Sequence, residues 1–346
     1  MPAERAMTGT PPLLTETPGA DRLTPASDVL SDLLRVVRLT GSVFFKADYG
    51  APFAIGSDGR ATVVELLGGQ RPRHITVFHL VAEGQCWLDR RGYERVLLSK
   101  GDVMMLPFGD YHELGNGEAP VIAASGLAVQ TREGVAMPKH VGGEGERTTI
   151  VCGFVQSGDL FFNPVFRDLP SLLIERTARE PVTSLLATTV RQLLTEVDAL
   201  RPGSREMLGR MMEMLFFEMV RRYVGGLPRG AAGWLGALTD PLVSRSLQVI
   251  HADPMRDWTV EQIAAASGTS RSVLAERFKS VLGQPPMQYL AGWRLQLATN
   301  LLRDASRSIA EVAGEVGYES EAAFNRAFKR HLGMPPGAWR QNHAAA

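Results

Sequence analysis

The feature that most restricts this chain is a repeat towards its C-terminal end: FKSVLGQPP, starting at Phe278, returns as FKRHLGMPP, starting at Phe328. The likeness extends upstream. Thr259 and Ser308 each precede a short apolar run and are followed three residues later by Gln262 and Glu311. That spacing is a capping box, in which each side chain accepts a hydrogen bond from the other residue's backbone N–H at a helix start. Gly268 and Gly317 then break the pattern, and Ser270 and Ser320 offer the N-caps of a second helix in each unit. Helical spacing puts Val273, Leu274 and Phe278 on one face in the first unit, and Phe324, Phe328 and Leu332 in the second. A short helix, a Gly turn and a second helix form a helix-turn-helix, here present twice. Helix pairs joined by Gly also occur in ordinary bundles, but those do not call for paired caps and paired endings in two units.

The outward face of each second helix carries side chains suited to DNA. In the first unit these are Thr269, Ser270, Arg271, Ser272, Ala275, Glu276 and Lys279; in the second, Ser320, Glu321, Ala322, Asn325, Arg326, Lys329 and Arg330. Arg and Asn match guanine and adenine edges, while Lys329 and Arg330 are placed for phosphates. Glu319 and Glu321 make the second unit's start acidic, so the first unit is expected to carry more of the specificity. Between the units, MQYLAGWRLQLATNLLRD aligns Ala291, Leu295, Ala298 and Leu302, which predicts one connecting helix of roughly 27 Å. Successive major grooves on one face of DNA lie about 34 Å apart, so one chain can address two of them.

With these residues in view, roughly Leu238 to Gln341 resembles the AraC/XylS regulators. The likeness is carried by I-A-x-x-S-G-T-S-x-S-x-L-x-x-x-F-K-x-x-x-G-x-x-P from Ile263, R-L-Q-L-A at Arg294, I-A-E-V-A-G-E-V-G-Y-E-S from Ile309 and F-N-R-A-F-K-R-H-L-G-M-P-P from Phe324. The resemblance implies a bacterial-type, sequence-specific DNA-binding transcription regulator, with Arg271, Ser272, Glu321 and Asn325 at base-facing positions.

Upstream, from about Val29 to Leu173, short β-rich runs such as HITVFHLVA, DVMMLPF and TTIVCGFV alternate with Gly and Asp turns, which predicts an antiparallel sandwich or barrel. Gly101, Pro107, Gly109, His112 and Asn116 satisfy the second motif of the cupins, so this region resembles a cupin jelly roll of the kind such regulators use as a sensor. The first cupin motif is damaged: if Gly84 ends it, Val77 and Arg73 stand where an acidic ligand and a His are expected. Oxygenase chemistry is therefore not expected. His79 shares the inward face of Val77 on a period-two strand, and with Cys86, His112 and Cys152 it makes a two-Cys, two-His set that suits zinc in number and type. The same residues also read as plain core, or, for Cys86 and Cys152, as a thiol redox switch. Phe44, Phe78, Trp87, Met105 and Phe108 are candidates to line a cavity for a small apolar effector.

With 346 residues the chain exceeds what one core usually supports. The expected fold class is multidomain α+β: a tail over 1–27, an antiparallel β jelly-roll (cupin) sensor barrel over 28–175, a helical linker or dimerisation region over 181–225, a linker over 226–236, and an all-α double helix-turn-helix domain over 237–343. Within the helical region Met207, Met211, Met214 and Phe217 form one stripe and Leu208, Leu215 and Phe216 another, so a face is available for a second protomer. Formal charge is zero, so DNA affinity has to come from local placement of Arg and Lys. Two cysteines and no long apolar run suit a cytoplasmic protein that does not engage the membrane. The expected partners are an operator in double-stranded DNA, RNA polymerase, an unidentified effector and a second copy of the chain. The alternative is a cupin metalloenzyme fused to a DNA-binding module.

Overall fold

The computed structural model describes residues 28–343, apart from 37–38, 41–43, 67–73, 125–128, 133–134, 139, 158–163, 182 and 229. The predicted tail and Arg73 lie outside the described residues. Fourteen described strands run in chain order as β1 (Leu39–Thr40), β2 (Phe44–Gly50), β3 (Phe53–Ser57), β4 (His74–Glu83), β5 (Gln85–Asp89), β6 (Val96–Ser99), β7 (Asp102–Leu106), β8 (His112–Asn116), β9 (Val121–Ala123), β10 (Val129–Arg132), β11 (Val135–Pro138), β12 (Val141–Gly142), β13 (Arg147–Ser157) and β14 (Leu173–Arg176). The helices before the repeat are α1 (Val29–Val36), α2 (Gly59–Leu66), α3 (Pro164–Asp168), α4 (Leu185–Ala199) and α5 (Ser204–Gly226). The rest are α6 (Trp234–Ala237), α7 (Pro241–Ala252), α8 (Val260–Ala266), α9 (Arg271–Leu282), α10 (Pro286–Leu301), α11 (Ile309–Glu315), α12 (Glu321–Leu332) and α13 (Pro336–His343). Among the described residues, no helix is long and apolar enough to cross a membrane.

The strands form two sheets. One follows the order β10-β11-β2-β13-β4-β7-β14, with β1 on β13 and β12 on β2; the other follows β6-β5-β8-β3-β9. Most pairs are antiparallel, as predicted, but β11 and β12 pair with β2 in parallel, and β9 with β3 likewise. Period-two alternation explains why the central strands are buried on both faces. On β4, Ile75, Val77 and Val81 enter the core between the sheets, whereas Phe78 and Leu80 join the core beneath the helices. On β7, Met104 and Leu106 face in and Val103 and Met105 face the helices.

That second core does not stop at the sheets. It runs from Val29 and Leu33 of α1 through Leu193 of α4 and Met212 and Phe216 of α5 into Trp234, Leu247, Ile250, Phe278, Tyr289 and Trp293 of the first helix-turn-helix unit. A separate cluster, built on Leu295, Val312, Phe324, Phe328 and Trp339, fills the second unit. Where composition predicts a loose linker over 226–236, α5 continues to Gly226 and α6 begins at Trp234, with Trp234 and Leu235 buried. The physical reason is tertiary: the Asp168 carboxylate of α3 accepts from the backbone N–H groups of Trp234 and Leu235 and so caps α6 from the sensor side.

A polar thread crosses this shared core. Trp234 Nε1 donates to Tyr289 Oη at 3.1 Å, leaving the Tyr289 hydroxyl to donate to His251 Nε2 at 2.8 Å. The His251 ring stacks on Trp293, and its Nδ1 lies 3.4 Å from the Asp32 carboxylate of α1. Burial holds His251 below its ordinary 6.5, against the pull of Asp32, and burial brings His74 down to about 4. Since the unfolded chain takes up protons at these sites first, their contribution is complete above about pH 6.5 and is lost as pH falls towards the folded values. We expect each to cost up to about 1.4 kcal/mol per pH unit across that window. Urea midpoints at pH 7.5 and 5.5 check this: the fall in the wild type should shrink in a His74→Gln, His251→Gln double variant.

Candidate nucleic-acid interface and sensor interior

Each helix-turn-helix unit is built by local chemistry that recurs in its twin. Thr259 accepts from the Gln262 N–H at 3.2 Å while the Gln262 side chain accepts from the Thr259 N–H at 3.0 Å; Ser308 and Glu311 repeat the exchange at 3.1 and 2.6 Å. Gly268 and Gly317 then take φ of +72° and +78°, the left-handed region that L side chains rarely adopt. Ser270 and Ser320 accept from the N–H groups of Val273 and Ala323 and so start α9 and α12. The αL residues Gly283 and Gly333 close those helices.

α10 joins the units over 16 residues, about 24 Å. Arg294 on α10 fixes what lies on either side. Its guanidinium donates to the carbonyls of Pro254 at 2.7 Å, Arg256 at 2.8 Å and Gly317 at 3.2 Å, tying the loop after α7 to the turn of the second unit. Charge-assisted bonds to three carbonyls are a stiff tie.

None of the predicted DNA-facing side chains is buried. Arg271, Ser272, Glu276 and Lys279 are exposed on α9 with Ser270 at its cap, and Thr269 and Ala275 are half-buried; on the second unit Ser320, Glu321, Ala322, Arg326, Lys329 and Arg330 are exposed and Asn325 is half-buried. Several already have partners. Ser270 and Ser320 spend their hydroxyls on caps, Arg271 pairs with Glu261 at 2.7 Å, and Asn325 Nδ2 lies 3.4 Å from Glu321 Oε1. One residue departs from its expected face: Val273, expected beside Leu274 and Phe278, is 49% exposed. Its spacing held the signal, since Val273 is three before Glu276 and four after Thr269, on the solvent stripe. An exposed methyl pair at the first turn of such a helix suits a thymine methyl. Arg277, also outward, is taken by Asp240, the cap of α7.

Between the sheets, His79, Cys86, His112 and Cys152 all sit on inward positions, and three of them form a file. Cys152 is the cross-strand partner of His79 on β13 and β4, with Sγ 2.8 Å from His79 Nδ1. His79 Nε2 lies 2.8 Å from His112 Nε2, which reaches across from the facing sheet. His112 Nδ1 lies 2.9 Å from the Asp110 carbonyl oxygen. A carbonyl only accepts, so His112 carries its proton on Nδ1. Its Nε2 then accepts from His79 Nε2–H, and His79 Nδ1 is left to accept from the Cys152 thiol. The protons point one way along the file. Burial, and for His79 the neighbouring His112, keeps both rings in the neutral form this pattern needs.

This arrangement does not fit the two-Cys, two-His zinc set. His79 stands between its partners, one on each ring nitrogen, so no single point is reached by Cys152 and His112 together, and Cys86 is not part of the file although it lies in the same core. Among the described residues, no group of three or more His, Cys, Asp or Glu is placed to hold a metal ion. Nor do the suggested effector-lining residues gather around one cavity, although Phe78 and Met105 are cross-strand partners on β4 and β7. Phe78 and Met105 point into the helix-side core, Trp87 lies under Arg95 with its Nε1–H directed to the Gly117 carbonyl, and Phe108 is 38% exposed beside His74. The Phe44 side chain lies outside the described residues.

A family profile described as Cupin matches residues 28–225, and one described as Helix-turn-helix domain matches 263–342. The chain is similar to a protein named as an AraC-like transcription regulator from Streptomyces lividans, 29% identical over 91% of this chain and 98% of that one. A second protein of that description, from Streptomyces antibioticus, is 30% identical over 77% of this chain and 86% of its own length. The HTH-type transcriptional regulator AlkR of Acinetobacter baylyi is 36% identical over 52% of this chain and 58% of its own length.

The thiols give the test of the interior. Burial, followed by the charge of Asp102, pushes Cys86 up to about 12, and burial likewise raises Cys152, so neither is a thiolate at neutral pH. We expect both to be silent to a disulfide reagent at pH 8 in the native protein and to react within seconds in guanidinium. Prompt native reaction of Cys152 would show the file open to solvent.

Proposed function

The chain belongs to the AraC-type transcription regulators that carry an N-terminal cupin domain, and from that premise we propose that it grips two adjacent major grooves of an operator while the cupin sandwich reads a chemical signal. The observation that carries this reading is the pair of capped, outward second helices, α9 and α12, set off the two ends of one buried connector. Base reading falls to Ser272, Val273, Ala275 and Glu276 on the first unit and to Ala322, Asn325 and Arg326 on the second; Lys279, Lys329 and Arg330 flank them for phosphates. Arg271 is released to DNA at the expense of its exposed pair with Glu261, which is worth little.

The signal reaches DNA through the shared core, in which α5 packs on β13 and β14 while α1 packs on α7 and α10. Met207 and Met214 stand exposed on α5, with Leu185 exposed on α4, and this stripe is the surface for a second copy of the chain. RNA polymerase is the downstream partner, and the cytoplasm the place of action. The relatives are regulators, and the enzyme alternative draws no support from them.

Selection of a binding site from random duplexes, followed by titration of variants, tests the reading. Arg326→Ala is expected to cost about 1–3 kcal/mol and to relax preference at one or two base pairs. Lys329→Ala should weaken all sequences alike and lower the salt slope by about 0.9. If both changes act alike on specific and random DNA, the base-reading role of α12 is wrong.

A further inference from the structure

At the end of the sandwich where β8 begins, a cleft of about 640 Å³ is lined by Asp89, Arg90, Arg91, Tyr93, Asp110, Tyr111, Glu113 and Ser171. Its base is Arg90, only 6% exposed. Arginine is rarely buried to that degree unless it is paired. Here the guanidinium lies 4.3 Å above the Tyr93 ring and makes one hydrogen bond, from Nη2 to the neutral hydroxyl of Ser171 at 2.8 Å. Among the described residues it has no carboxylate partner. A guanidinium offers five N–H donors in a planar fork, so one hydrogen bond leaves most of the capacity of this cleft-lining group unused.

Of the three acidic groups around it, two are directed elsewhere. Asp89 is held by Arg95 at 2.6 Å, and Glu113 accepts from the Tyr111 hydroxyl at 2.8 Å. Tyr93 and Tyr111, 62% and 50% exposed, stand as aromatic walls at the mouth.

We propose that this cleft binds a small carboxylate with an aromatic or apolar body: the carboxylate takes the bidentate place at Arg90, and the body lies against Tyr93 and Tyr111. The lining favours one delocalised negative charge over a multiply charged anion, because its two guanidinium groups stand with three carboxylates that a phosphate dianion would meet. The inference deepens the sensor reading by naming a ligand class, and binding is measured without DNA so that the two fail separately.

Calorimetric titration of the full chain with phenylacetate at pH 7.5, beside 2-phenylethanol and inorganic phosphate, is the test. Expected are saturable phenylacetate binding below about 1 mM, a loss of at least about tenfold in Arg90→Gln, and a several-fold loss in Tyr93→Ala, whose exposed site leaves the fold untouched. The proposal is overturned if the neutral alcohol binds as well as the acid, if phosphate binds more tightly than phenylacetate, if no probe binds at 10 mM (about ten times the expected constant), or if both variants bind like the wild type. Should Arg90→Gln fail to fold, Tyr93→Ala and Ser171→Ala decide alone. Binding that persists while the operator footprint is unmoved keeps the site and removes its sensor role.

Discussion

Burial of one continuous apolar core is what the arrangement of this molecule rests on. Leu33 of α1, Phe216 of α5 and Trp293 of α10 belong to the same cluster, although they come from the start of the described chain, the helical region and the DNA-binding domain. Removing a large buried side chain from such a cluster costs several kcal/mol, and here that loss falls on two functional units at once. The polar groups inside are consistent with that role. Tyr289 both accepts and donates, and Asp168 caps α6, whereas the buried Trp293 Nε1 at the same boundary has no hydrogen-bond partner.

Inside the sandwich the organising element is polar instead. A thiol, two imidazoles and a main-chain carbonyl stand in a file from one sheet to the other, with every proton position decided by the carbonyl at its end. The file crosses a space otherwise filled by Val77, Met104, Leu114 and Phe154, where an unpaired imidazole would be expensive. The same wall places Arg90 close enough to act on His112, so the cleft and the file share an electrostatic neighbourhood.

What was legible in the sequence was what local chemistry decides. Thr259, Ser270, Ser308 and Ser320 cap the helices they were expected to cap, because capping is settled within four residues. The inward face of His79 followed from period two. Its pairing with Cys152 and His112 did not, since cross-strand register and sheet-to-sheet packing join residues far apart in the chain. At Val273 apolarity and helical position point to opposite faces, and position decides. The Gly-rich stretch before α6 read as slack for a similar reason: composition does not show that Trp234 and Leu235 have a core to enter. Arg90 carried no motif, only a burial that the fold creates.

The two helix-turn-helix units are not mechanically equal. The first shares its core with the sensor, whereas the second has a core of its own and is held through α10 and Arg294. α10 is thus a lever rooted in the core beneath the sheets. Over its length of about 24 Å, a tilt of about 10° at the root swings the tip by about 4 Å, on the order of one base-pair step. A small repacking beneath Trp293 is thereby geared up into a displacement of the second unit by about that distance.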